Sequence, residues 1–233
     1  MQKTQHTVLI TGANRGLGLE FTKQYAADGW QVISCCRVPK TAVELMSLAS
    51  QYPQNIQVHA LDVANFAQID ALALQLNTLK IDVLINNAGV YPESSFGNID
   101  YDKWAYGFKI NTMAPYKVTE AFTEHVAASS LKQVVVLSSK MGSMSDNTSG
   151  GSYAYRTSKA ATNMMMKSLS IDLKTKGIAC GILHPGWVQT DMGGPNGLIN
   201  AATSVTGLRK VISELNTHNC GRFIAFDGKE IAW

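Results

Sequence analysis

Tyr155 and Lys159 are the residues whose types and spacing best suit acid–base chemistry. They lie four positions apart in a segment with helical periodicity, and residues i and i+4 of a helix project from one face. An ammonium beside a phenol favours the phenolate, which would lower the pKa of a hydroxyl that ordinarily titrates near ~10. Tyr153 is a second candidate, but it has no lysine four residues further on. A half-buried tyrosine beside an extended lysine is the structural alternative.

A glycine-rich stretch directly after the first apolar run is the second feature with chemical potential. It reads TGANRGLG over residues 11–18 and leads into a helical pattern. Glycines let a ligand approach the backbone closely, and free amides at a helix N-terminus attract phosphate groups. The spacing differs from GxGxxG and lacks the GK[ST] of nucleotide-triphosphate loops. Its position favours a pyrophosphate site, with a purely structural turn as the alternative.

The region expected to contact the adenosine ribose contains a cation and no acid. About 20 residues beyond the glycines, NAD sites present Asp or Glu to the ribose hydroxyls, whereas NADP sites present Arg to the 2′-phosphate. Arg37 lies in this region, and Arg15 lies within the glycine turn. The pattern therefore predicts NADP(H) rather than NAD(H). Solvated surface arginines are the alternative.

The elements that must position these residues alternate along the chain. Seven short apolar runs have strand length and are continuous, as expected for strands covered on both faces. Segments with helical periodicity separate them. This order predicts an α/β protein with one doubly wound parallel sheet, right-handed crossovers and ligand sites beyond the carboxyl ends of the strands. The runs are residues 7–10, 31–36, 56–60, 82–85, 133–137, 178–183 and 222–225.

Composition and charge exclude several classes of protein. The 233 residues suit a single domain, and 45% hydrophobic with 16% charged residues is typical of a globular chain. A net charge of +3 is too small for a nucleic-acid surface. No run approaches the ~18 apolar residues of a membrane span, and no signal-peptide pattern is present. We therefore expect a cytoplasmic protein with neither nucleic acid nor membrane as partner.

The cysteines and histidines show no ligand spacing. The four cysteines include an adjacent pair inside an apolar run and no CxxC motif, and the five histidines are scattered. This distribution favours neither a zinc site nor a disulfide framework. We therefore expect no metal site.

Taken together, the motifs of the whole chain resemble those of the short-chain dehydrogenase/reductase family. In order along the chain they are the TGxxxGxG turn, NNAG at residues 86–89, a serine after the fifth apolar run, and Tyr155 with Lys159. Asn111 and the PG motif at residues 185–186 also match. The segments YRTSKAA, PGWVQTDMGG and FDGKEIAW most resemble the C-factor-like and sniffer-like carbonyl reductases. The resemblance implies a Rossmann fold with about seven strands in the order 3-2-1-4-5-6-7.

The resemblance also implies catalytic roles. Tyr155 would protonate the carbonyl oxygen during reduction. Lys159 would lower the pKa of Tyr155 and hold the nicotinamide ribose. Ser139 would hydrogen-bond the substrate oxygen; Ser138 is its rival, but the family spacing favours Ser139. Asn111 would position a water that relays protons from Lys159 to solvent.

Cofactor contacts follow from the same resemblance. The NNAG motif has an equal claim to a structural role in the central sheet. The implied contacts are Gly12, Asn14, Arg15, Gly16, Leu17 and Gly18 at the diphosphate and adenosine half, Arg37 at the 2′-phosphate, Asp62 and Val63 at the adenine, Asn87, Ala88 and Gly89 at the ribose, and Pro185, Gly186, Val188 and Thr190 at the nicotinamide.

The substrate region is the least specified part of the sequence. Residues 190–203 are rich in Gly and Asn and predict a short mobile flap on a single domain of residues 1–233. Met141, Tyr91, Trp187 and Met192 would either line an apolar pocket for a carbonyl compound or pack in the protein.

Oligomeric state and function class stay open at this point. The family often pairs through two long helices, here residues 103–127 and 153–176, so a homodimer or homotetramer is expected. The sequence favours an NADPH-dependent reductase of an aldehyde, ketone or diketone. A nucleotide-binding signalling or regulatory protein with little turnover is the alternative that the C-factor-like resemblance supports.

Overall fold

The computed structural model describes residues 5–233 and contains one parallel sheet surrounded by helices. Within these residues, the seven strands lie in the order β3-β2-β1-β4-β5-β6-β7, which confirms the predicted doubly wound Rossmann fold. The strands are β1 (Thr7–Thr11), β2 (Gln31–Cys36), β3 (Ile56–Ala60), β4 (Val83–Asn86), β5 (Gln133–Leu137), β6 (Ala179–His184) and β7 (Phe223–Ala225).

In the described part of the chain, seven α-helices connect the strands. The helices are α1 (Gly16–Ala27), α2 (Val43–Gln51), α3 (Phe66–Gln75), α4 (Tyr101–Phe108), α5 (Ala114–Ala127), α6 (Tyr153–Asp172) and α7 (Ala201–Glu214). Because the chain reverses its direction of travel across the sheet between β1 and β4, the crevice at their carboxyl ends is where this fold binds ligands.

Two hydrophobic clusters explain why the strand sequences are continuously apolar. Leu9 and Leu84 face one cluster, where α3, α5 and α6 pack. Ile10 and Ile85 face the other, where α1, α2 and α7 pack. Successive side chains of a strand point to opposite faces, so every position of a central strand is covered.

A π-helical turn at Lys109–Met113 interrupts the helix expected over residues 103–127. It separates α4 from α5, and Pro115 lies in the first turn of α5. Proline lacks the amide proton that an interior helical position would donate, so it fits the start of a new helix. Asn111 lies in this turn, and such turns occur frequently at functional sites.

The segment predicted as a flap is folded against itself. The Leu198 amide donates to the Trp187 carbonyl at 2.7 Å, and the Gln189 amide donates to the Ile199 carbonyl at 2.9 Å. A Cβ at Gly193 would lie 2.1 Å from the Val188 carbonyl oxygen, so only glycine fits there. The predicted range is also too long at its end, because α7 begins at residue 201.

Two findings concern residues 5–233 as a whole. None of their helices combines the length and apolarity needed to cross a bilayer. They bring together no group of three His, Cys, Asp or Glu side chains able to hold a metal ion.

Candidate active site

Helix α6 buries Tyr155 and Lys159 on one face. Their exposed fractions are 8% and 5%, and the Lys159 Nζ lies 5.7 Å from the centroid of the Tyr155 ring. The Lys159 ammonium donates to the Leu137 carbonyl at 2.8 Å, which is its one hydrogen bond within the described chain. An ammonium has three donors, so two of them remain for a ligand.

The pKa of Tyr155 moves in the direction opposite to the expected one. Burial raises the pKa of Tyr155 to about 12, while a hydrogen bond with Ser139 acts in the lowering direction. Burial also lowers the pKa of Lys159 to about 8. Desolvation disfavours each charged form, and the Lys159 Nζ lies over the ring of Tyr155. The phenol is therefore protonated at neutral pH.

Ser139 reaches the site through a short 3-10 turn after β5. Its side chain accepts the Met141 amide at 3.1 Å. At the end of this turn, a Cβ on Gly142 would lie 2.8 Å from the Lys159 carbonyl carbon, so glycine is required for the close approach to α6. The Ser138 hydroxyl donates instead to Asn163, away from the site. The structure thus brings Ser139, rather than Ser138, to Tyr155.

Asn111 ties the loop after β4 to α6. Its Oδ1 accepts the Val90 amide at 2.9 Å, and its Nδ2 donates to the Val90 carbonyl and to the Ser158 hydroxyl. A Cβ at Gly89 would lie 3.3 Å from the Asn111 Oδ1 and 3.7 Å from the Lys159 Nζ. These contacts give Asn111 a structural role; the relay of protons stays a prediction.

The glycine turn between β1 and α1 presents backbone amides. Gly12 and Gly16 have φ of +67° and +54°, which is the region that favours glycine. Arg15 precedes α1 and its side chain does not cap the helix. The first N–H groups of α1 can therefore donate to a ligand. These amides suit the diphosphate of a dinucleotide. The remaining donors of Lys159 suit its ribose hydroxyls.

The NNAG motif locks this turn in place. The Asn87 Nδ2 donates to the Thr11 carbonyl at 2.9 Å and to the Gly12 carbonyl at 3.0 Å. The Thr11 hydroxyl accepts the amides of Asn87 and Ala88. The structural role of the motif is therefore visible. Sequence reasoning gave Thr11 no such role, although its place at the end of β1 was the available signal.

The segment after β6 contacts the glycine turn at Thr190 and Asp191. A Cβ at Gly16 would lie 3.4 Å from the Thr190 Cγ2, and the Arg15 Nη1 lies 2.6 Å from the Asp191 Oδ2. Arg15 is thus engaged by a carboxylate at the start of the predicted flap. Arg37 follows β2 and is exposed.

The other predicted cofactor contacts lie around the same edge of the sheet. Asp62 Oδ1 accepts the Ala64 amide, and Val63 packs in the core at 8% exposed. Gly186 has a φ of +85°, the Pro185 carbonyl accepts the Ser204 hydroxyl, and Val188 is buried.

An open cavity of about 470 Å³ adjoins the site. Its lining includes Lys140 and His184, the chain neighbours of Ser139 and Pro185, together with residues 225–227 and 229–232 near the C-terminus. None of the four predicted catalytic residues lines it.

Comparison with known proteins decides the family. A family model described as "short chain dehydrogenase" matches residues 6–201. The chain belongs to this family. The C-signal of Myxococcus xanthus is 46% identical over 164 residues, covering 70% of this chain and 99% of that protein. A 1-hydroxy-2-glutathionyl-2-methyl-3-butene dehydrogenase of Rhodococcus sp. (strain AD45) is 33% identical over 234 residues, covering 97% and 99%.

Solved structures of carbonyl reductases are similar to this chain over nearly its full length. Carbonyl reductase Sniffer of D. melanogaster has 34% identity and a TM-score of 0.91, covering 98% of this chain and 100% of that one. An NADPH-bound carbonyl reductase from chicken fatty liver has 35% identity and a TM-score of 0.93, covering 98% and 99%. The predicted resemblance to this family, including its sniffer-like and C-factor-like members, is confirmed.

Proposed function

We propose that the protein is an NADPH-dependent reductase that converts an aldehyde, ketone or diketone to an alcohol, with Tyr155 as the proton donor. One observation carries this proposal. Tyr155, Ser139 and Lys159 meet at the carboxyl edge of the sheet, beside a glycine turn whose amides are free. The similarity to carbonyl reductases supports the same reaction class.

Each side chain has a distinct task in this reaction. When bound, NADPH supplies a hydride to the carbonyl carbon. Tyr155 keeps its proton at neutral pH because burial raises the pKa of its phenol, and it gives that proton to the carbonyl oxygen. Ser139 donates a hydrogen bond to the same oxygen, where negative charge develops. Lys159 donates its open N–H groups to the ribose hydroxyls.

The remaining predicted contacts belong to the same proposal. The amides of the glycine turn hold the diphosphate, and Arg37 contacts the 2′-phosphate. Bound NADPH or NADP in three of the similar carbonyl reductase and short-chain dehydrogenase/reductase structures supports this cofactor. The proposal also covers Asp62 and Val63 at the adenine, Asn87, Ala88 and Gly89 at the ribose, Pro185, Gly186, Val188 and Thr190 at the nicotinamide, and residues 190–203 as the substrate flap.

The test is turnover by the wild-type protein and by Tyr155→Phe. We expect NADPH absorbance to fall with members of a panel of aldehydes, ketones and diketones. Tyr155→Phe keeps the ring but has no proton to give, so its rate should fall about 10²–10⁴-fold. Its affinity for NADPH, measured by fluorescence titration, should stay within about twofold. A Tyr155→Phe variant that keeps the wild-type rate would assign the acid to another residue.

A regulatory function is the second candidate, because the C-signal of Myxococcus xanthus is 46% identical. Such a protein would bind the dinucleotide and turn over slowly or not at all. The Tyr155, Ser139 and Lys159 set favours the enzyme, since a sensor has no physical need for a proton donor. Tight NADPH binding without reduction of any panel member would favour the regulatory function.

A further inference from the structure

The first turn of α6 is capped from outside the helix. A serine that precedes a helix ordinarily accepts an amide two or three residues further on. Ser152 occupies this position with φ +47° but makes no such bond. The Ser94 hydroxyl caps the helix instead, because it accepts the Ala154 amide at 2.8 Å. The Ser152 hydroxyl is thereby released from capping.

Tyr91 uses the hydroxyl that Ser152 keeps free. The two hydroxyl oxygens lie 2.7 Å apart. The ring of Tyr91 also packs on the ring of Tyr155, with centroids 4.5 Å apart and planes tilted by 42°. This separation is within the range in which aromatic pairs attract each other. Tyr91 therefore contacts α6 at two points, one of which is the proposed proton donor.

The backbone that carries Tyr91 is fixed on both sides. Asn111 binds both the amide and the carbonyl of the preceding residue, Val90. On the other side, Pro92 is buried, and a Cβ at Gly107 would lie 2.7 Å from its Cγ. A rigid support of this kind lets Tyr91 hold another side chain in place rather than follow it.

We propose that Tyr91 is a positioning residue for Tyr155: its ring and its hydrogen bond to Ser152 hold the phenol of Tyr155 in place and keep water from it. This inference rests on the proposed function, because it takes Tyr155 as the proton donor. Tyr91 acts through Tyr155 and takes no part in proton transfer itself.

The electrostatics of Tyr155 agree with this role. Burial is the largest cause of its raised pKa, and Tyr91 acts in the same direction. The titratable groups that face the Tyr155 ring are Tyr91 from the loop and Lys159 from α6 itself. Removal of the Tyr91 ring admits water, so the pKa of Tyr155 should fall.

Kinetics of matched variants test the proposal. In Tyr91→Ala, kcat should fall about tenfold, the factor that an aromatic pair can supply, while the Kd for NADPH stays within about twofold. Tyr116→Ala is the control, because Tyr116 lies on α5 with 45% of its surface exposed against 40% for Tyr91. Its kcat should match the wild type.

The hydrogen bond is tested separately. Tyr91→Phe and Ser152→Ala each remove one partner and keep the ring of residue 91, so each should lower kcat about threefold. The double variant should lose no more than either single one, because both remove the same bond. Additive losses would overturn the role of the bond. These small changes also keep the test valid if Tyr91→Ala does not fold.

Proton affinity gives two further readouts. The alkaline limb of kcat/KM for reduction reports loss of the Tyr155 proton, so it should move to lower pH in Tyr91→Ala. The second readout needs no turnover. The phenolate absorbance is measured at an alkaline pH at which circular dichroism shows that the proteins are folded. For the wild type and for Tyr91→Ala, the absorbance of the same protein carrying Tyr155→Phe is subtracted, so that the difference reports Tyr155 alone. This difference in absorbance should be larger for Tyr91→Ala than for the wild type.

The outcomes separate this inference from the proposed function. If the wild type reduces no carbonyl, the proposed function fails, and the phenolate comparison alone decides the contact between the two rings. If the wild type is active but Tyr91→Ala matches Tyr116→Ala in kcat and in phenolate absorbance, the inference is overturned while the proposed function stands.

Discussion

Two equally buried charges lie at opposite edges of the sheet, and their surroundings differ. Asp82 precedes β4 at the amino edge, and Lys159 lies at the carboxyl edge; each is 5% exposed. The Asp82 carboxylate accepts three backbone amides, from Thr7, Ser130 and Leu131, and also the Ser130 hydroxyl. In the described chain, Lys159 makes one hydrogen bond.

This difference separates an edge whose buried charge is fully paired from an edge whose buried charge keeps donors for a ligand. A buried charge is costly unless hydrogen bonds replace its lost hydration. Asp82 has that replacement and joins the starts of β1, β4 and β5. Lys159 lacks most of it, and the protein tolerates the cost at the edge where a ligand can supply the missing partners.

The largest effect should come from Lys159→Met. Reduction of the best carbonyl substrate should fall at least about 10²-fold and NADPH should bind more weakly, because the ribose loses its donor. The melting temperature should nevertheless stay the same or rise, since an underpaired buried charge is replaced by an apolar side chain. Lys167→Met, on the exposed face of α6, is the control. A clear fall in melting temperature would contradict the comparison between the two edges.

Asp82→Ala should show the opposite pattern. Three backbone amides and the Ser130 hydroxyl lose their acceptor, so the free energy of unfolding in urea should fall by about 3 kcal/mol or more. Activity per folded molecule should stay near the wild-type value, because Asp82 is at the far edge. Asp70→Ala is the control: it removes an ion pair with Lys117 whose carboxylate is exposed, and such surface pairs contribute little to stability. Equal losses in the two variants would refute a structural role for Asp82.

The loss caused by Asp82→Ala should also depend on pH. Burial acts to raise the pKa of Asp82, but hydrogen bonds from Thr7, Ser130, Leu131 and His6 outweigh it and hold the pKa below the ordinary value of 3.8. A lowered pKa stabilises the fold above the unfolded value and loses that effect as pH falls through the folded one. The difference between wild type and Asp82→Ala should shrink below about pH 4.

Local patterns in the sequence were sufficient for the sheet and for the site pairing. Continuous apolar runs gave the strands to within a residue or two, because both faces of a central strand are covered. At their carboxyl ends, β1, β4 and β6 run one residue beyond the predicted runs, to Thr11, Asn86 and His184. The i, i+4 spacing of Tyr155 and Lys159 placed both on one face of α6, since helical geometry alone fixes that relation.

Features that depend on distant contacts were not predictable in this way. The expected lowering of the Tyr155 pKa was wrong because burial is the largest effect on it and raises it, and Lys159 is not among the groups that shift it. The capping of α6 by Ser94, 60 positions from Ala154, has no local signature. The π-helical turn around Asn111 was missed for the same reason, although Pro115 marked the start of a new helix.

The smallest effect is expected at Arg37, a cation at the carboxyl edge of the sheet. Arg15 is paired with Asp191, whereas Arg37 forms no ion pair with any residue that the structure describes. Arg37→Ala should raise the Kd for NADPH about tenfold, the value of one charge-assisted hydrogen bond. The Kd for NADH should not change, because NADH lacks the 2′-phosphate.

The control for Arg37 is Arg222→Ala, since Arg222 is exposed at β7 and already pairs with Glu230. Its affinity for both dinucleotides should equal that of the wild type in fluorescence titrations. If Arg37→Ala weakens NADPH and NADH alike, the side chain acts on a part that both cofactors share. If it weakens neither, Arg37 is a solvated surface charge, and the open cation at this edge has no part in selecting the cofactor.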